Sequence, residues 1–263
     1  MKFLTIFILF LTSLLAKEYY SKVEPIDIYT ISSKVNSEIL KADENLIGKQ
    51  LSKKPFIVMD DKLDINDLNS TKQKIASIKE MIKADKEIAL NLEESLKRKI
   101  QNYERIKDLS IKSKTQKDAI YFDVINTKNQ LLNTQKEIQN FKSQLADLNY
   151  KKIVLQKSIS DKHISYNGFV LYELLVKKGQ VVNIGTPLAK VANINKAILT
   201  LYVDREDLKN IKNKTVYING KKTSYKVSRV SYIADSINIS KYKVQIIINP
   251  PKIFSNLVKV ELK

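Results

Sequence analysis

No cysteine and no tryptophan occur in the 263 residues, and His163 is the single histidine. That excludes disulfides, thiolate nucleophiles and the Cys/His sets that hold structural zinc. Three methionines (Met1, Met59 and Met81) are too few for a thioether-rich copper site. Glycine and proline number five each, and none of them falls between Phe56 and Asn167. So long a stretch without a breaker predicts uninterrupted helix. No carboxylate pair, nucleophile–base set or glycine-rich phosphate loop stands out, so neither catalysis, cofactor nor metal is expected.

What is present begins with an apolar run from Phe3 to Leu15, preceded by Lys2 and ended by Ala16 before Lys17-Glu18. A short positive region, an apolar core and a small residue at the end predict a secretory signal over residues 1–16, although Leu14 is larger than the residue usual three before a cut. The run is shorter than the roughly 20 residues that span a bilayer. Cleavage is therefore favoured over a retained membrane anchor, and export to the periplasm follows in either case. The net charge of +18 comes mostly from lysines spread along the chain. A solvated surface with some attraction to membranes or acidic partners fits that spread better than a nucleic-acid site, which the export signal also opposes.

Two sustained 3–4 repeats fill the breaker-free region. The first runs Ile75, Ile78, Ile82, Asp85, Ala89, Leu92, Leu96, Lys99, Tyr103, Ile106. The second runs Ile120, Val124, Thr127, Leu131, Thr134, Ile138, Phe141, Leu145, Leu148, Lys152, Leu155, Ile159. A period near 3.5 puts each set on one winding seam, as in a coiled coil. The polar interval between them carries helix-start chemistry, with Ser113 and Gln116, or Thr115 and Asp118, as a capping box; Ser70 and Gln73 are placed to cap the first helix likewise. Two arms of similar length joined by a short turn predict an antiparallel hairpin, each arm roughly 65 Å long at about 1.5 Å per residue. A parallel dimeric rod is the competing arrangement.

Sliding the sequence against itself by 131 residues decides between them. Asn36 falls on Asn167, Ile39 on Val170, Leu40 on Leu171, Gly48 on Gly179, Leu51 on Val182 and Ile57 on Leu188. Each copy reads as short strands joined by tight turns and is too small to bury a core alone. The copies are expected to fold together, which an antiparallel hairpin between them permits and a parallel rod does not. After Ala197 come a strand (Ile198 to Val203), a short polar helix (Asp204 to Lys212) and further strands. Among these, Val216–Ile218 and Tyr225–Val227 flank the hairpin signal Asn219-Gly220.

The runs Asn167-Gly168-Phe169-Val170, Val176-Lys177-Lys178-Gly179-Gln180-Val181-Val182 and Gly185-Thr186-Pro187-Leu188-Ala189-Lys190-Val191-Ala192 resemble the lipoyl/biotinyl-type module of the HlyD-like membrane-fusion family, the periplasmic adaptor subunits of tripartite efflux and secretion systems. The first half, Val35 to Asp61, is similar but departs from the pattern at Ser37 and at Lys54, which stands where Gly185 stands in the second half. The resemblance implies an α+β chain: a long antiparallel coiled-coil hairpin inserted in a split lipoyl-like β domain, followed by a small β-barrel. Residues 1–16 are then the signal and 17–34 an extended segment. The lipoyl-like halves are 35–62 and 163–195, the hairpin is 63–162 with its tip at about 107–116, and the barrel is 196–263. A fourth, membrane-proximal domain of many relatives is not expected.

The turn that carries the modified lysine in true lipoyl carriers is here replaced by the hairpin, so neither lipoylation nor biotinylation is implied. Tips that engage a TolC-like outer-membrane channel often carry Arg, then Leu, then Ser. The matching positions are Asn102, Ile106 and Ser113, with Tyr103, Lys114 and Asp118 also at positions common in such tips. Ile106 is conservative, Ser113 matches and Asn102 departs; Ile106 and Ser113 also read simply as a seam residue and a helix cap. The implied partners are an inner-membrane transporter, a TolC-like channel and further copies of the chain in a ring of three or six, with no nucleic acid. An exported structural coiled-coil protein of the envelope is the alternative.

Overall fold

The computed structural model describes residues 17–263, and the signal expected over 1–16 lies outside the described residues. The chain passes through strands β1 (Glu18–Lys22), β2 (Glu24–Ser32), β3 (Ser37–Ala42) and β4 (Ile57–Met59), then helices α1 (Lys62–Ile106) and α2 (Lys114–Lys162). It continues through β5 (His163–Ile164), β6 (Val170–Leu174), β7 (Val181–Val182), β8 (Pro187–Val203), β9 (Val216–Ile218), β10 (Lys221–Lys222), β11 (Val227–Ala234), β12 (Tyr242–Ile248) and β13 (Leu257–Leu262). This is the α+β architecture the resemblance implied: a helical hairpin set into a split β module, with a β-barrel beyond.

The hairpin arms contain 45 and 49 residues and pack antiparallel. Every residue of both expected seams is at least partly withdrawn from solvent, with Ile75, Ala89, Val124, Leu131 and Ile138 buried. The polar members are accommodated individually. Lys99 of α1 reaches across to Asp123 Oδ1 at 2.8 Å and Thr127 Oγ1 at 2.9 Å. The Asp85 carboxylate keeps one oxygen buried with no hydrogen-bond partner, the only such side chain among the described residues. The expected cap at Ser70 is overturned: α1 begins eight residues earlier, at Lys62, and Ser70 lies exposed within it. The seam runs back through buried Thr71 and Leu68 to Asp64. Asp64 accepts a 2.6 Å hydrogen bond from the Ser158 hydroxyl and pairs with Lys162 at 3.0 Å. His163, at the C-terminal end of α2, lies 2.7 Å from the Asp61 carboxylate at the start of α1. These polar contacts tie the two arms together at their base.

The two repeat copies close into one module. Ile39, Leu51, Phe56, Ile57 and Met59 from the first share a single core with Ile164, Leu171, Val176, Val182, Leu188 and Val191 from the second. A glycine turn of each half bonds to a strand of the other. Gly48 N donates to Leu171 O at 2.8 Å, and Gly179 N donates to Ile39 O at 2.8 Å. Both glycines sit at positive φ, +78° and +85°, where a Cβ is strained. Lys54, in the place of Gly185, makes a different turn, its amide donating to the Ser52 hydroxyl at 3.2 Å.

The barrel is built on a second core that includes Val23, Leu199, Leu201, Val203, Ile211, Val216, Val244, Ile246 and Val260. Strand β8 has 17 residues and runs without interruption from the split module into the barrel. It is hydrogen-bonded along both parts to β2, so a two-stranded ribbon joins the modules. The N-terminal segment is thus incorporated in sheets: β2 pairs with β8, and β1 pairs with β13 at the other end of the chain. The helix expected over Asp204–Lys212 is instead two short 3-10 turns, Glu206–Leu208 and Ile211–Asn213, separated by Asn210 in the left-handed region at φ 57°. Asn219 and Gly220 do form a turn with both φ positive. It joins β9 to β10, however, while Val227 opens a strand of another sheet. No helix among the described residues is long and apolar enough to cross a membrane.

Candidate functional site

The free end of the hairpin gathers the residues singled out in the sequence. Helix α1 closes with the Lys107 amide donating to Tyr103 O at 2.9 Å, and the Leu109 amide then donates to Ile106 O at 3.2 Å. Helix α2 opens on a capping box: the Gln116 amide donates to Ser113 Oγ at 3.3 Å, and the Ser113 amide donates to Gln116 Oε1 at 3.2 Å. Of the two boxes the sequence allowed, Ser113–Gln116 is the one formed. It satisfies donors that the first turn of any helix leaves open. Near the bend the seam residue Tyr103 packs against Tyr121 at a centroid distance of 5.4 Å.

Four of the six candidate residues, Asn102, Ser113, Lys114 and Asp118, are exposed around this bend. Tyr103 and Ile106 are half-buried, because they also close the seam. Sequence reasoning placed the tip at about 107–116 but singled out neither Leu109 nor Ile111. Ile111 is 91% exposed and Leu109 45%, the two apolar side chains of an otherwise polar connector. An apolar residue in a turn with no seam to join was the available signal. Around these two lie Arg105, Lys107, Lys112, Lys114 and Lys117, set against Glu104, Asp108 and Asp118. Lys107 pairs with Glu104 at 2.5 Å, and that hydrogen bond raises its pKa above the usual lysine value. The tip is therefore an apolar knob within a mainly basic collar on a stiff, two-helix support.

Among the described residues no group of three or more His, Asp or Glu side chains is placed to hold a metal ion. What the geometry offers is contact at a distance from the β modules.

No family model matches the sequence, and no curated protein matches it either. Solved structures do. MacA from Actinobacillus actinomycetemcomitans superposes with a TM-score of 0.66 at 19% identity, over 95% of this chain and 79% of that one. The membrane fusion protein Spr0693 from Streptococcus pneumoniae R6 gives 0.64 at 11% identity, over 94% and 99%. A MacA–MexA chimera carrying the Pseudomonas aeruginosa MexA α-hairpin domain gives 0.57 at 17% identity, over 94% and 80%. At such identities the likeness is one of fold. The chain has the fold of the membrane fusion proteins, in agreement with the family resemblance of its sequence.

Proposed function

We propose that the protein is a non-enzymatic periplasmic adaptor, linking an inner-membrane exporter to a TolC-like outer-membrane channel. The observation that carries the reading is the hairpin: a stiff arm that begins and ends in one split β module and presents an exposed apolar and basic bend at its far end. Such an arm has no role in packing its own fold beyond its base. The tip residues Asn102, Tyr103, Ile106, Ser113, Lys114 and Asp118, with Leu109 and Ile111, form the channel-docking surface. Copies of the chain pack side by side through their β modules and arms. Off-seam apolar side chains such as Leu90, Leu132, Tyr150 and Ile153 are exposed on a single chain and suit such lateral contacts.

The test is export by cells carrying Ile111→Asp. The side chain touches little of its own protein, so folding is expected to be unaffected while transport falls at least tenfold and crosslinking of the tip to an outer-membrane channel is lost. Normal export with a correctly folded Ile111→Asp chain overturns the docking role.

A further inference from the structure

The end of the barrel farthest from the split module carries a second exposed apolar feature. Strands β11 and β12 are joined by the loop Asp235–Lys241. At and beside it Ile233, Ile237 and Ile239 are 81%, 87% and 83% exposed, with Tyr232 next to them also exposed. The loop is not slack. Asp235 Oδ1 accepts from the Ile237 amide at 3.1 Å, the Asn238 amide at 2.7 Å and the Asn238 side chain at 3.1 Å. The Asp235 amide donates to Lys241 O at 2.8 Å, and the Lys241 amide to Asn238 O at 2.9 Å. A framework of internal hydrogen bonds thus holds isoleucines outward, where they contribute nothing to the barrel core.

The position of Lys17 identifies what this end faces. Its ammonium lies 3.1 Å from Asp204 and 2.9 Å from Asp207, and Lys241 pairs with the same Asp204 at 2.6 Å. The apolar run Phe3–Leu15 ends two residues before Lys17. Lys17, the first described residue, thus enters the fold beside the isoleucine loop, and in the uncleaved chain the apolar run leads directly to this end. The acids of this corner are engaged. Asp204 and Asp207 are held below the usual carboxylate range: for Asp204 chiefly by Lys241 and Lys17, and for Asp207 by Lys17 and the Tyr19 hydroxyl against the opposing effect of burial. Arg205, Lys214 and Lys243 add positive charge at this end; Lys214 acts on Asp207 and Lys243 on Asp235, and with Lys17 and Lys241 these five cations outnumber Asp204, Glu206, Asp207 and Asp235.

We propose that the loop around Ile233, Ile237 and Ile239 inserts into the headgroup and upper acyl region of an anionic phospholipid bilayer, seating this end of the barrel on the membrane. Preformed apolar side chains above a basic rim are what interfacial binding requires. Each cation near an anionic surface adds about fivefold to the partition.

The absence of tryptophan supplies the assay. Ile237→Trp in the full chain places one indole at the loop, and Ile111→Trp places one at the hairpin tip as a control. Both are mixed with vesicles of phosphatidylglycerol and phosphatidylcholine carrying brominated acyl chains. The proposal expects blue-shifted emission and at least twofold quenching for Ile237→Trp and no change for Ile111→Trp. Replacing Ile233 and Ile239 together with Ser in the Ile237→Trp chain is expected to reduce the vesicle affinity reported by the loop indole about tenfold. Unchanged emission at the loop overturns the proposal. So does a blue shift without bromine quenching, which reports burial against protein, or equal quenching at the tip, which reports adsorption without orientation. The tip-docking reading is untouched by any of these results.

Discussion

Replacing Phe56 by Ala tests whether the two halves of the β module are one folding unit. Phe56 belongs to the first half, is fully buried and lies in the core that also contains Leu171, Val176, Val182 and Leu188 of the second. Its amide donates to Ile164 O at 2.9 Å and its carbonyl accepts from Asp43 N at 3.0 Å, so the backbone there is fixed as well. Truncating a buried Phe to Ala costs about 3–5 kcal/mol from lost transfer energy and the cavity left behind. Against a domain stability of about 5–15 kcal/mol, that is a large share. The assay is methyl NMR in urea, following Val176, Val182 and Leu188, which lie more than a hundred residues from the substitution in sequence. Their unfolding midpoints are expected to fall together with those of Ile39 and Ile57. If the second-half methyls keep wild-type shifts and midpoints while the first half loosens, the halves fold separately and the reasoning fails.

Three further substitutions probe the hairpin. Ser113→Ala removes the acceptor of the α2 capping box and is expected to cost about 1 kcal/mol, read as faster hydrogen exchange at the Gln116 amide with no change at Leu131. Asp85→Leu replaces a seam carboxylate that has one buried oxygen without a partner and is expected to raise hairpin stability by about 1–3 kcal/mol in chemical denaturation; a lower midpoint contradicts this account of the seam. At the base, burial raises the Asp64 pKa, but the Ser158 hydroxyl and Lys162 outweigh it and hold it below its ordinary value of 3.8. A carboxyl depressed on folding stabilises above its unfolded pKa and loses that contribution as pH falls through the folded value. Asp64→Asn should therefore lower the melting temperature at neutral pH and have a shrinking effect below about pH 4. A constant difference across that range excludes the linkage.

How far the sequence revealed this fold depends on whether a pattern was local and apolar. The seams were readable because Ile, Leu and Val recur at a fixed period over long stretches, and the split module because the two copies keep one register from Asn36 to Met59 against Asn167 to Lys190. The start of α1 was hidden. There the seam passes through buried Thr71 and through Asp64, whose partners Ser158 and Lys162 lie on the other arm and cannot be seen locally. The pairing of β1 with β13 was hidden for the same reason, since Glu18 meets Glu261 across nearly the whole chain. The turn Asn219-Gly220 was legible, but its outgoing strand was not, because Lys221-Lys222 has none of the apolar alternation that marks a strand. At the candidate site, Ser113 followed from the spacing of cap residues. Leu109 and Ile111 did not, because two apolar residues in a turn match no period.

The seam also determines how such an arm can change in length without losing its function. Asp64 meets Ser158 and Lys162 at the base, Lys99 meets Asp123 and Thr127 farther out, and Tyr103 meets Tyr121 near the bend. Each layer joins a residue of α1 to one or two of α2, and the layers follow one another in antiparallel order. Removing seven residues from one arm would keep its own stripe in phase but shift every layer beyond the deletion against its partner. Removing seven from both arms at facing positions, residues 79–85 of α1 with the seven residues packed against them in α2, would preserve both the base and the tip. The matched deletion is expected to fold with an arm shorter by about 10 Å, and the single-arm deletion to lose helicity beyond the cut, as circular dichroism and small-angle scattering would show. Since the tip stays intact in the matched variant, any loss of export there isolates reach from docking. Equal stability of the single-arm and matched deletions would mean that the register described by these pairs does not hold the hairpin together.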